Sequence, residues 1–210
     1  MQSHNDEHAV FEITHIRQVA EDCYNIVSSE GPSFFIRSVY LEHAEADALH
    51  DGQILSIEEA SDLISAGFCC EAERYASYLL NRCEQSRFGL THKLQKKGFS
   101  SEICAKSLDY LEDKNMLSDS RYAVSWARSR IKSKGESKSR IRLELLSRGI
   151  NKDVAEEALE EVYSAVDENM LLKKAAEKYR SRGYSEEKLI KRLVAMGFPF
   201  KSVKSMINEK

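Results

Sequence analysis

Ten Lys and Arg side chains fall between residues 121 and 152: Arg121, Arg128, Arg130, Lys132, Lys134, Lys138, Arg140, Arg142, Arg148 and Lys152. Only Glu136 and Glu144 oppose them, a local net charge of +8. Arginine can meet a phosphate or carboxylate with two parallel hydrogen bonds, and lysine can satisfy the same charge with less geometric demand. A one-sided field of this kind attracts a phosphate backbone or an acidic protein surface. Arg128, Arg130, Lys132 and Lys134 alternate with Ser129, Ile131 and Ser133 near the end of one expected helix, while Lys138, Arg140 and Arg142 begin the next. Cationic stems around a turn suit a broad contact rather than a narrow pocket. Lys96 and Lys97 add charge further upstream, where interaction with a helix C-terminus competes as an explanation.

Other chemistry is poorly supported. GxGxxG, P-loop, HExxH and GxSxG patterns are absent, and Gly135 and Gly149 are wrongly spaced for a phosphate cradle. His4 and His8 stand four residues apart in a polar tail, and the remaining histidines lack a ligand pattern. Asp47/Asp51 and Glu58/Asp62 have helical spacing, which is common on solvated helices. The five cysteines (Cys23, Cys69, Cys70, Cys83 and Cys104) contain no CxxC, so they read as free thiols used as small apolar groups in a reducing cytosol. A non-enzymatic protein without cofactor or metal is expected.

The 210 residues are 42% hydrophobic and 31% charged, with nine glycines and two prolines, a balance that favours a soluble helical protein. No apolar run approaches the roughly 18 residues of a membrane span. The charged start does not read as a secretory signal, so a cytoplasmic location is expected. The overall charge of -3 hides a division: residues 1–70 carry 2 basic and 13 acidic side chains, whereas residues 71–210 carry 29 and 21.

The elements that must position the cations repeat. Leu94 precedes Gly98 and Phe99; Leu145 precedes Gly149 and Ile150; Leu193 precedes Gly197 and Phe198. Each leucine lies four residues before its glycine, and the glycines are 51 and 48 residues apart. The leucine fits the last turn of a core-facing helix, the glycine a positive-φ stop, and the next apolar residue a contact across the cap. Ser100 or Ser101 and Asn151 then fit as caps of following helices. Upstream, Tyr75/Leu79, Tyr122/Trp126 and Leu172/Ala176 mark a further helix in each unit, and Ala76, Ala123 and Ala176 permit close helix approach. Three-helix units that bury too little alone are stabilised by stacking. The expected fold is therefore mainly all-α: tandem three-helix repeats in an elongated, curved body, completing a monomeric core. The repeats are placed at 71–118, 119–167 (the most basic) and 168–210. Residues 1–70 form an acidic region with a β-hairpin around Tyr24–Val27 and Phe34–Val39, a short strand near Ile13–Ile16, a turn at Asp51-Gly52 and a helix from a Ser56/Glu59 capping box towards Gly67. Residues 1–8 read as a frayed tail. Asp119 is read as the cap of the Tyr122/Trp126 helix, and that aromatic pair as core rather than as a base-stacking platform.

The run from Leu117-Ser118-Asp119 through Tyr122, Ala123, Trp126 and Arg130, continuing through Gly135, Glu144-Leu145 and Gly149-Ile150, resembles the central signature of the RecX family of regulatory proteins. The resemblance covers residues 70–165 well and the third repeat less specifically. It implies three tandem three-helix repeats and binding to the RecA recombinase and its DNA filament, restraining extension, ATP hydrolysis or strand exchange. DNA alone would be bound weakly. By the same resemblance most signature positions maintain repeat geometry, while Arg130 and its basic neighbours are candidates for contact. An autonomous DNA-binding module and a helical scaffold for an unrelated acidic partner remain alternatives.

Overall fold

The computed structural model describes residues 11–29 and 31–208, and the tail expected at residues 1–8 lies outside them. Two compact units are formed. One comprises the described residues up to Leu79 together with Thr91–Met116; the other comprises Leu80–Leu90 and the chain from Leu117 onward.

In the first unit, β1 (Glu12–Ala20), β2 (Cys23–Ser28), β3 (Phe34–Arg37) and β4 (Gln53–Ile54) make an antiparallel sheet in the order β3-β2-β1-β4. The β2–β3 hairpin was expected from the sequence. The tighter β1–β2 hairpin, turning at Glu21-Asp22, was not, because β1 mixes polar and apolar residues on both faces and carries register shifts. Ile13, Tyr24, Ile26 and Ile36 point into the core. Helix α1 (Ile57–Leu80) covers them with Leu63, Ala66 and Cys69, and α3 (Ser101–Asp113) adds Ile103 and Tyr110 at the edge. The capping box forms: Ser56 Oγ accepts from the Glu59 amide, and Glu59 accepts from the Ser56 amide.

The expected stop at Gly67 does not occur. The helix runs on through Gly67 to Leu80, 24 residues in all, joining the N-terminal region to the first repeat. A glycine inside a helix costs about 1 kcal/mol. Here it admits the Phe34 ring, whose Cδ2 would lie only 2.8 Å from a Cβ at that position, so packing offsets propensity.

Two polar devices hold this unit. Asp62, expected on a solvated helix face, is buried instead and accepts from the backbone amides of Glu42, His43 and Ala44 at 2.8–3.1 Å. Burial pushes its carboxyl up, but these amides prevail and hold it below its ordinary value. A carboxylate with a lowered folded-state pKa stabilises above its unfolded value, and that contribution fades as pH falls through the folded one. Asp62→Ala is expected to cost about 1–3 kcal/mol at neutral pH by orphaning those amides. In urea unfolding from pH 7 towards pH 3, the wild-type advantage should shrink below about pH 5; a constant difference would refute this origin.

The second device joins strand to helices. Arg37 donates to both Glu73 carboxylate oxygens at 2.7 and 2.8 Å and to Asp22 at 2.8 Å. Tyr40 also donates to Glu73, at 3.0 Å, and the Arg37 guanidinium lies 4.7 Å from the Tyr110 ring centre.

The second unit contains α4 (Asp119–Lys134), α5 (Lys138–Ser147), α6 (Lys152–Tyr163), α7 (Glu168–Arg180), α8 (Glu186–Ala195) and α9 (Phe200–Asn208), together with the first turn of α2 (Arg87–Lys96). These six helices make two tandem three-helix repeats. One core gathers Ala123, Ala127, Ile141, Leu145, Leu159 and Val162, the other Leu172, Ala176, Leu189, Leu193, Val203 and Ile207. The glycine stops form as expected. Phe99, Ile150 and Phe198 each return an amide hydrogen bond to the leucine carbonyl five residues back, at 3.2–3.3 Å, and all three glycines have positive φ.

Asp119 is not the cap of α4. Ser118 caps it, accepting from the Arg121 amide, and Asp119 occupies the first helical position. Its carboxylate accepts instead from the Arg87 amide at the start of α2, at 2.8 Å. Ser and Asp both cap well, so the local sequence left two adjacent choices. The next repeat reproduces this joint: Asp167 caps α7, while Glu168, again at the first helical position, accepts from the Lys138 amide at the start of α5, at 2.9 Å. The glycines complete both joints. Gly149 sits on Phe88 beside a hydrogen bond from Ser86 Oγ to the Arg148 carbonyl, and Gly197 sits on Ser137 and Arg140 beside one from the Ser137 amide to the Met196 carbonyl.

Candidate anion-binding surface

The solvent face of α4 presents Arg121, Arg128 and Lys132, at positions separated by seven and four residues and therefore on one side of the helix. Arg128 is 65% exposed and reaches Glu161 of α6 at 2.7 Å; Arg121 pairs with Glu84 at 2.9 Å. Exposed ion pairs of this kind are worth little and open readily. Lys132 has no ion-pair partner among the described residues, and exposed Lys134 lies 3.9 Å from Glu136. On α5, Lys138 is half-buried at the first position, Arg140 is exposed 3.5 Å from Glu144, and Arg142 pairs with Glu156.

Arg130 and Arg148 are placed differently. The Arg130 side chain is only 18% exposed and donates to Glu144 at 2.8 Å, with Glu136 3.6 Å away. Its guanidinium is 4.4 Å from the centre of the Trp126 ring, and that of Arg148 is 3.7 Å from the same ring. Arg148 also donates to the Tyr122 hydroxyl at 3.3 Å. Tyr122 stacks beside Trp126 with centroids 6.1 Å apart. The indole is thus held between two cations and a phenol, an arrangement that locks α4 to α5. Tyr122 and Trp126 are packing residues, as expected. Arg130 and Arg148 spend their charge inside the repeat, although contact was expected of both. Lys96 and Lys97 belong to the other compact unit, exposed at the end of α2, with Lys97 Nζ 5.1 Å from the Tyr75 ring centre.

The second repeat is not the most basic. Over 119–167 there are ten Lys and Arg against nine Asp and Glu, because acidic α6 packs beside α4 and α5. Residues 168–210 carry eleven against five. Counting along 121–152 stops short of the helix that neutralises it in space. The larger excess in the third repeat, diluted over three helices, was missed.

Among the described residues no group of His, Cys, Asp and Glu could hold a metal ion, and no helix is long and apolar enough to cross a membrane. All five cysteines are free.

Residues 118–159 match the model for the second three-helix domain of RecX. A regulatory protein RecX from Treponema pallidum (strain Nichols) is 36% identical over 121 residues, covering 58% of this chain and 74% of that protein. The chain belongs to the RecX family. Another RecX regulatory protein, from Chromohalobacter salexigens, is 37% identical over 130 residues, spanning 60% of this chain and 84% of its own length. A crystal structure of regulatory protein RecX superimposes with a TM-score of 0.72 at 24% identity, covering 95% of this chain and all of that one. RecX from Lactobacillus salivarius gives 0.56 at 22% identity over 68% of this chain and 96% of its own. At such identities these two structures speak for the fold. RecX membership makes this a regulatory protein and not an enzyme.

Proposed function

We propose that this RecX-family protein binds the RecA recombinase and its DNA filament and restrains filament extension, ATP hydrolysis and strand exchange. The observation that carries the reading is the coincidence of the RecX-matching segment, residues 118–159, with the exposed cations of α4. Arg128, Lys132 and Lys134, with Arg140 of α5, are the side chains of this set free to exchange weak partners for phosphate or carboxylate. Arg130 and Arg148 support the contact from behind by fixing the angle between α4 and α5. No cofactor is needed: a bound regulator obstructs by occupying surface, and multiple weak contacts sum across neighbouring filament subunits.

The test measures RecA ATPase and strand exchange on single-stranded DNA with increasing protein, alongside filament binding and binding to DNA alone. Inhibition of both activities with filament association is expected. No association at low or near-physiological salt overturns the reading. The triple variant Arg128→Gln, Lys132→Gln, Lys134→Gln should weaken filament binding about tenfold at low salt while leaving helicity unchanged; unaltered affinity would remove this face from the contact. Binding to DNA as tight as to the filament would instead favour an autonomous DNA-binding module. Recovery of an acidic protein from nuclease-treated extract without recombinase would favour a scaffold.

A further inference from the structure

The third repeat concentrates positive charge that its own fold does not neutralise. Lys174 and Lys178 are exposed one turn apart on α7, and Lys173 is exposed beside them. Arg182 follows in the turn after the helix, and its guanidinium comes back to 5.8 Å from the centre of the Tyr179 ring. Arg192 of α8 reaches the same ring from the other side of the turn, at 5.2 Å, with exposed Lys188 one turn before it. The buried Tyr179 ring therefore gathers two arginines at the α7–α8 corner, with two lysines leading to it along one helix and one along the other. Lys173, Lys174, Lys178 and Arg182 have no ion-pair partner among the described residues. The acids of this stretch are Glu177, Glu186 and Glu187, the last already paired with Lys191, and Glu136 before α5 also acts on Arg192.

We infer that this α7–α8 corner is a binding site for the phosphate backbone of single-stranded nucleic acid. A row of cations about 6 Å apart along a helix, ending in paired guanidinium groups, matches a chain of closely spaced anions. An acidic protein would also need an apolar centre to its interface, whereas interfaces with nucleic acid are more polar and much more positive. Of the fourteen exposed residues between 173 and 192 ten are charged, seven of them basic; the others are Ser181, Gly183, Ser185 and Tyr184, too little apolar surface for such a centre. Side chains held on a packed tyrosine lose less freedom on binding than free ones. The inference deepens the nucleic-acid side of the proposed function and does not require the recombinase.

The experiment measures fluorescence anisotropy of a labelled oligo-dT strand with the full chain, from about 50 to 200 mM salt, without RecA. Lys174→Gln, Lys178→Gln, Arg182→Gln should weaken binding at least tenfold at low salt and make the salt slope shallower by about 2, since three phosphate contacts on a single strand contribute about 0.7 each. The conservative variant Lys174→Arg, Lys178→Arg should bind as wild type, which separates charge from folding. Equal loss in that variant, or an unchanged affinity and slope in the neutral one, overturns the site. So does tighter binding to polyglutamate than to the oligonucleotide. A protein that binds the strand through this corner yet leaves RecA activities untouched would support the site while refuting the filament reading.

Discussion

Glu73→Ala is expected to destabilise the β-containing unit by about 3–5 kcal/mol, the range for removing one partner of a buried ion pair. The side chains of Arg37 and Glu73 are 21% and 11% exposed, and Glu73 takes three hydrogen bonds, two from Arg37 and one from Tyr40. Without it the guanidinium keeps only Asp22 and the Tyr110 face, and the Tyr40 hydroxyl is buried without its acceptor. Urea unfolding followed by far-UV circular dichroism is the measurement. A second variant isolates the cause. Arg37→Met in the Glu73→Gln background removes both charges of the buried pair and leaves only the partly exposed Asp22 without its partner, so it should recover at least half of the loss. A loss below about 1 kcal/mol in Glu73→Ala would mean the pair behaves as a surface salt bridge.

Gly197→Ala carries the second large effect. The residue has φ of +89°, and a Cβ there would lie 2.7 Å from Arg140 Cβ and 2.8 Å from the Arg140 backbone nitrogen. The left-handed conformation costs a non-glycine residue about 1–2 kcal/mol, and overpacking against backbone adds about 1–3 kcal/mol. The sum, about 2–5 kcal/mol, falls on the joint between the second and third repeats. Trp126 is the sole tryptophan and sits in the second repeat, so its fluorescence reports whether that repeat feels the loss of its neighbour. Gly98→Ala is the control, since φ is +100° but nothing lies within 4 Å of the added carbon. It should cost only the conformational part. Equal destabilisation by the two substitutions would show that the joint contributes nothing.

The repeat was legible because its marker is local. A leucine, a glycine and a large apolar residue at fixed spacing specify a helix stop through hydrogen bonds within six residues, and three copies made the phase plain. What depends on partners distant in sequence was not legible. Asp119 looked like a cap because nothing in its neighbourhood announces the Arg87 amide 32 residues upstream. Gly67 looked like a stop because Phe34, which needs the missing side chain, lies on a strand. Asp62 looked solvated because its three amide donors come from an irregular loop. The same limit governed the candidate surface. Charge density along the chain drew attention to 121–152, yet Arg130 and Arg148 turn inward onto Trp126 and α6 lays acids beside the remainder. The acidic face of α6 follows from its own helical period, but the neighbours it meets, Arg128 and Arg142, do not.

The joint between repeats also bears on the two ends of the series. Each copy offers the opening turn of its middle helix as a socket, and the copy after it supplies an acid and a glycine as the plug. In the last copy that turn, beginning at Ser185, is exposed, and Ser185 makes no side-chain capping bond. At the other extremity α1 runs unbroken from the sheet into the first copy and leaves no helix beginning to act as a plug. The Ser185 turn is therefore a socket of the same make as those at Ser86 and Ser137, whereas α1 offers no helix beginning of the kind that Asp119 and Glu168 supply.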